Sequence, residues 1–158
     1  AMKVGSDVPF FIKNKTARVG GKGNKVELVE NNLKDSLILV KPLGFGVSTK
    51  DAYNSFDELD EVRYSNFEKI VECLRNDNRK DLEKYIENGL EQGISERNAD
   101  IKMFKAILNS VVPGKKFFMS GSGSTYYTFV TEIERSQIET RLRTFVDNVK
   151  IIISKTIN

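Results

Sequence analysis

Between two β-prone segments the chain runs Met119-Ser120-Gly121-Ser122-Gly123-Ser124-Thr125-Tyr126-Tyr127-Thr128, with three serines alternating with two glycines. Phe117 and Phe118 lead into the run, and Thr125 to Val130 leads out of it in an extended pattern. Such a stretch must turn tightly so that its flanks can pair. Glycine lets the backbone reach positive φ and approach a partner closely, which leaves bare amides able to face an anion. A plain turn between strands asks for the same small residues, so both readings stay open on the run alone. A second run near the start, Gly5-Ser6-Asp7-Val8-Pro9-Phe10-Phe11, adds weight to the ligand-facing one.

Much chemistry is excluded by what is missing. The chain has no histidine and one cysteine, Cys73. Ser-His and Cys-His catalysis, most zinc sites and an internal disulfide fall away. No metal ligands are assigned. A reduced, cytoplasmic setting fits the cysteine usage. Cys73 sits beside Val71 and Leu74 in a helical pattern and reads as a packing residue. The 158 residues, 39% of them hydrophobic, suffice for one core. The net charge of +3 is spread over interleaved basic and acidic residues, which points to a solvated surface and to no nucleic-acid partner. No apolar stretch approaches the roughly 18–20 residues that span a bilayer, so no membrane partner is expected. No signal peptide is read at Ala1-Met2-Lys3-Val4, and the abrupt opening suggests a piece of something longer.

Periodicity gives a coarse architecture. Phe10-Phe11-Ile12 reads as a short apolar strand. Thr16 to Val19 and Lys25 to Val29 flank Gly20-Gly21-Lys22-Gly23-Asn24, a hairpin signal; without Walker spacing, that turn reads as a plain β turn. Leu37 to Val40 predicts a strand buried on both faces, ended by Pro42. Ser48, with Asp51 three residues on, opens a helix carrying Tyr53, Phe56 and Leu59. Further helices are predicted over Phe67–Leu74, over Leu82–Leu90, and over Ile101–Leu108 ahead of Pro113-Gly114. A last helix is predicted from a Ser136/Glu139 capping box, with Ile138, Leu142, Phe145 and Val149 as its stripe. Phe104 and Phe145 read as core. Ile151 to Ile153 closes the chain as a strand. The sum is an α+β chain, with helices on an antiparallel sheet in a ferredoxin-like layer.

Five segments in order resemble one family. Gly5 to Phe11 is similar to the G-A-D-V-P-F-F run of the 4-diphosphocytidyl-2-C-methyl-D-erythritol kinases, members of the GHMP kinase superfamily. Ala17 to Lys25 resembles their A-x-V-x-G-x-G-E-K hairpin, with Asn24 in place of Glu. Lys41-Pro42 and Gly46-Val47-Ser48-Thr49-Lys50-Asp51-Ala52-Tyr53 resemble K-P and G-V-S-T-x-x-A-Y. Asn88-Gly89-Leu90-Glu91 resembles N-D-L-E with Gly89 in place of Asp, and reads as a helix end of structural role. Met119 to Thr125 matches M-S-G-S-G-S-T, the superfamily's third motif.

The resemblance implies the carboxy-terminal part of such a kinase. Residues 1–34 would be the tail of its amino-terminal domain and 35–158 the GHMP carboxy-terminal domain. The family's catalytic lysine and its G-L-G-G-G-S-S loop are absent here. ATP, with Mg2+, would therefore be bound mainly by the missing part, and the fragment alone would be inactive. Asp7 would be the catalytic base. Tyr53 would stack on cytosine, and Gly121, Ser122, Gly123, Ser124 and Thr125 would line the substrate side of the cleft. Read from the residues alone, Asp7 is first a cap for the segment that follows, and it is the resemblance that makes it the base; Tyr53 reads equally as a core aromatic beside Phe56. The partners implied are the cytidyl substrate, ATP and the missing domain, with a possible dimer through the face left exposed. The alternative is a stand-alone ferredoxin-like module that binds a metabolite without kinase activity.

Overall fold

Leu37-Ile38-Leu39-Val40 forms the middle of β3 (Ser36–Pro42), around which the rest of the chain is arranged. A computed structural model describes residues 5–156; the opening Ala1-Met2-Lys3-Val4 lies outside the described residues. β3 pairs antiparallel with β5 (Tyr126–Val130), Val40 facing Tyr126, and with β6 (Val149–Lys155), Val40 facing Ile151. β4 (Phe118–Met119) pairs with β5 across the Gly/Ser run. The sheet order is β4-β5-β3-β6, the ferredoxin-like order expected. One crossover departs from the simplest form of that fold. Between β3 and β4 lie α2 (Thr49–Asp57), α3 (Phe67–Arg75), α4 (Arg79–Tyr85), α5 (Gly89–Arg97) and α6 (Ala99–Val111); between β5 and β6 lies α7 (Glu132–Phe145).

The strand expected to be buried on both faces alternates instead. Ile38 and Val40 are fully buried in a core with Ile101, Phe104, Leu108, Tyr126, Val130, Ile138 and Leu142. Each such aliphatic contributes about 1.5–3 kcal/mol relative to exposure. Leu37, on the opposite face, is half-buried against a second cluster of Leu33, Cys73, Leu82, Phe118 and Phe129. That face is only partly covered: Leu39 is half-buried and Ile152, opposite it on β6, is 41% exposed. Cys73 and Phe104 pack as expected.

Side-chain caps set the helix starts. Ser48, Asn66, Asn78, Asn88, Asn98 and Thr131 each accept a bond from the amide three residues on, a contribution of about 1 kcal/mol apiece. Four expectations are corrected by these local rules. Phe10-Phe11-Ile12 is not a strand but lies in α1 (Val8–Lys13), where Pro9 presets the first turn and Asn14 ends it at φ 47°. The helix expected over 82–90 is two: Ile86 is extended and Asn88 caps a new helix, so Asn88-Gly89-Leu90-Glu91 begins a helix rather than ending one. α7 starts at Glu132, because Thr131 and Glu134, not Ser136 and Glu139, form the capping box. Phe145 is 64% exposed rather than core, and Val149 belongs to β6; Asn148, at φ 54°, turns the chain away first.

Ahead of the sheet, β1 (Ala17–Gly20) and β2 (Lys25–Leu28) form the expected hairpin as a separate ribbon. A two-stranded ribbon is marginal alone, so it leans on α3. The Arg18 guanidinium lies 4.3 Å from the centre of the Phe67 ring. Asn31 Nδ2 donates to Thr16 Oγ1, Asn32 N donates to Leu74 O, and Lys34 N donates to Asp77 Oδ1.

Candidate functional site

The Gly/Ser run is the turn between β4 and β5, and it spends few of its own amides. Ser120 N donates to Thr125 O at 2.8 Å and Gly123 N to Ser120 O at 3.0 Å. Among the described residues, the amides of Gly121, Ser122 and Ser124 find no acceptor in the chain. Gly121 sits at φ 56° and Gly123 at φ 88°. At Gly123 a Cβ would also lie 2.7 Å from Met119 Sδ, so only glycine fits both the angle and the space. Ser124 is buried, Ser122 and Thr125 half-buried, and Ser120 and Gly121 exposed. The result is a loop that combines unpaired amides with small hydroxyls, chemistry suited to receiving an oxyanion.

Two other elements hold this loop. The Thr49 and Ser122 hydroxyls share a hydrogen bond of 3.2 Å, which ties it to the first turn of α2. Asn88 Nδ2 donates to Met119 O at 2.8 Å and to Gly121 O at 2.9 Å. The Glu91 carboxylate, buried one turn into α5, accepts from Met119 N at 3.2 Å and from Lys105 Nζ at 2.6 Å. Burial pushes the neighbouring Tyr126 phenol well above the usual tyrosine value, and the Glu91 charge adds to the effect. Sequence reasoning missed Thr49, Asn88 and Glu91 as supports of the loop. The sequence carried a signal for the helix start alone, an Asn followed three residues later by Glu, and none for its contact with the loop.

Tyr53 stands on α2, 55% exposed, while Phe56, one turn on, packs over Gly89. The two aromatics of one stripe thus divide, one facing solvent and one facing the helix packing. Asp7 is exposed just ahead of α1 and its side chain makes no capping bond there; Ser6 Oγ donates to its Oδ1 at 3.3 Å. The hairpin turn abuts this segment, since a Cβ on Gly23 would collide with Ser6 O. Inside that turn Lys22 N donates to Asn24 Oδ1 at 3.1 Å, a side-chain-closed β turn. Asp7 and the Gly/Ser loop are not joined by any hydrogen bond or ion pair among the described residues. Tyr53 and the loop are joined through α2.

Elsewhere an open groove of about 380 Å³ runs between β2 and α3, lined by Leu28, Val29, Phe67 and Val71 with Glu27, Glu68, Glu72 and Arg75 at its sides. It shares no residue with the loop. Among the described residues no group of three acidic, cysteine or histidine side chains converges to hold a metal, and no helix is long and apolar enough to cross a membrane.

No family model matches the chain. Among curated proteins it is similar to the 4-diphosphocytidyl-2-C-methyl-D-erythritol kinase of Fusobacterium nucleatum subsp. nucleatum, 76% identical over 158 residues, all of this chain and 54% of that protein. The enzyme of the same name from Clostridium botulinum (strain Kyoto / Type A2) is 33% identical over 144 residues, covering 87% of this chain and 49% of the relative. The chain therefore spans about half the length of the curated relatives it matches. A crystal structure of 4-(cytidine 5'-diphospho)-2C-methyl-D-erythritol kinase superposes with a TM-score of 0.75 at 21% identity, covering 99% of this chain and 55% of that one. A homoserine kinase from Cytophaga hutchinsonii superposes with a TM-score of 0.63 at 18% identity, over 85% of this chain and 45% of that one. At those identities the two structures establish a shared fold.

Proposed function

We propose, on the premise that this chain is the counterpart of the carboxy-terminal part of the 4-diphosphocytidyl-2-C-methyl-D-erythritol kinases, that it supplies the substrate-facing half of such an enzyme. The reaction would move the γ-phosphoryl of ATP to the 2-hydroxyl of the cytidyl substrate, a cytoplasmic step toward isoprenoid precursors. The observation that carries this reading is the similarity along all of this chain at 76% identity, which takes in every motif quoted above. The geometry supports it. Phosphoryl transfer asks mainly for positioning and charge stabilisation, and the loop offers free amides at a fixed curvature.

Each residue then has a task. Asp7, exposed and not engaged as a cap, would accept or orient the proton of the attacking hydroxyl. Tyr53 offers an open aromatic face for the cytosine ring. Gly121, Ser122, Gly123, Ser124 and Thr125 would line the substrate side of the cleft, with the free amides of Gly121, Ser122 and Ser124 and the loop's hydroxyls receiving phosphate oxygens. ATP and Mg2+ would be held mainly by the other half of the longer protein, where the metal would neutralise phosphate charge. Residues 1–34 would belong to that half's domain and 35–158 to the second GHMP domain. The exposed Phe11, Ile12, Val19 and Leu28 fit a surface that packs against it, and alone would favour self-association.

A coupled ADP-release assay tests this with the cytidyl substrate, on the 158-residue chain and on the intact longer protein. Turnover by the longer protein alone supports the reading. Silence from both, with a metabolite bound by the short chain, favours a stand-alone binding module.

A further inference from the structure

The Gly/Ser loop takes much of its orientation from one side chain on another element. Asn88 Nδ2 donates to Met119 O and Gly121 O, at 2.8 and 2.9 Å, while Asn88 Oδ1 accepts from Glu91 N at 3.2 Å. One residue therefore caps α5 and grips two carbonyls of the loop. The grip has a directional consequence. Across a planar trans peptide the C=O of one residue and the N–H of the next point opposite ways. Turning Gly121 O toward Asn88 turns Ser122 N–H away from it, and that amide is one of those without an acceptor in the chain among the described residues. The anchor itself is stiff. Glu91 holds Met119 N and pairs with Lys105 at 2.6 Å. α5 lies so close to α2 that a Cβ on Gly93 would stand 2.6 Å from the Ser55 carbonyl oxygen.

We propose that Asn88 is a positioning residue for phosphate recognition: by holding the Gly121 carbonyl it aims the Ser122 amide at the diphosphate of a cytidine-bearing substrate. This rests on the reading that the loop faces a phosphate-bearing ligand. Asn88 itself touches no ligand and acts through the loop.

The test is calorimetric titration of the intact protein with CDP and, separately, with cytidine. Asn88→Ser keeps a capping oxygen of equal quality but offers one short donor in place of two. The expected result is a loss of about tenfold in CDP affinity, the scale of one charge-assisted hydrogen bond, with cytidine affinity unchanged. An unchanged CDP affinity in the folded variant overturns the proposal, and so does an equal loss for CDP and cytidine, which would mark general loosening. Should Asn88→Ser not fold, Asn88→Asp keeps the length and the cap while removing the donor; read at about 0.5 M salt, where longer-range repulsion is screened, it is expected to show the same selective loss. If the unaltered protein binds CDP no better than cytidine, the phosphate-facing reading of the loop falls, and this proposal with it.

Discussion

The Phe56 ring occupies the room that a side chain at position 89 would need: a Cβ on Gly89 would lie 2.5 Å from its Cε2. Any side chain at position 89, such as the Asp of the N-D-L-E pattern that this segment resembles, would require that ring to shift. Gly93, one turn along, meets backbone instead: a Cβ there would lie 2.6 Å from both Ser55 C and Ser55 O, and 2.7 Å from Phe56 N. The two glycines therefore differ in what must yield. Gly89→Ala is expected to cost about 1 kcal/mol and Gly93→Ala about 3 kcal/mol, the span of overpacking penalties. Urea unfolding checks both. Adding Phe56→Leu is expected to relieve the first loss but not the second.

Glu134 sits where Thr131, Lys115 and Arg79 converge, its carboxylate 2.9 Å from Lys115 Nζ and 3.3 Å from Arg79 Nη1. Partial burial pushes its pKa upward, but the bonds from Lys115 and from the Thr131 amide and hydroxyl prevail and hold it at about 2. A carboxyl lowered on folding stabilises above its unfolded value, and that contribution is lost as pH falls toward the folded one. Glu134→Gln is therefore expected to cost about 1–2 kcal/mol near pH 7, discounted for the side chain's part exposure. The gap should close between about pH 5 and pH 2. Thermal melts of both proteins across that range would show it; a gap that widens on acidification would contradict the assignment.

Asp7 is exposed and makes no capping bond, so Asp7→Asn should leave the melting temperature in place. In the intact protein its turnover number is expected to fall by at least about a hundredfold, the lower range for loss of a general base, with KM little changed. Steady-state kinetics with the cytidyl substrate decide it. A parallel fall in stability would return Asp7 to a structural role.

Tyr53 is similarly separable from the fold. At 55% exposure, Tyr53→Ala should shift stability by less than about 0.5 kcal/mol. A lost base stack would weaken cytidine and CDP alike, by about tenfold. Tyr53→Phe keeps the ring face and should bind as before. Calorimetric titration of the three proteins separates a stacking ring from an idle one.

Local chemistry explains which features were legible beforehand. The hairpin around Gly21 and Gly23, the β3 run, the caps at Ser48 and the paired strands about Gly121 and Gly123 follow from residues within a few positions of each other. The misread elements depended on choices between near-equal local signals. Thr131 with Glu134 outcompeted Ser136 with Glu139, five residues further along, because β5 delivers the chain to Thr131 already extended. Pro9 tipped Phe10-Phe11-Ile12 from a strand pattern into a helix. At the candidate site, the residues of the loop were visible in the sequence, while its supports were not. Asn88 reaches Met119 and Gly121 across 31 and 33 positions, and no periodicity within one segment reports such a bond.

The central strand has a consequence for how the molecule is made. β3 ends at Pro42, yet the strands that flank it are Tyr126–Val130 and Val149–Lys155. During synthesis its main-chain groups wait, with neither neighbour available, until most of the chain has emerged from the ribosome. Contacts so distant in sequence slow assembly and leave an apolar strand uncovered in the meantime. The helices of the long crossover emerge before either partner strand, and would have to shelter Ile38 and Val40 on the nascent chain until residue 155 is free to seal the sheet.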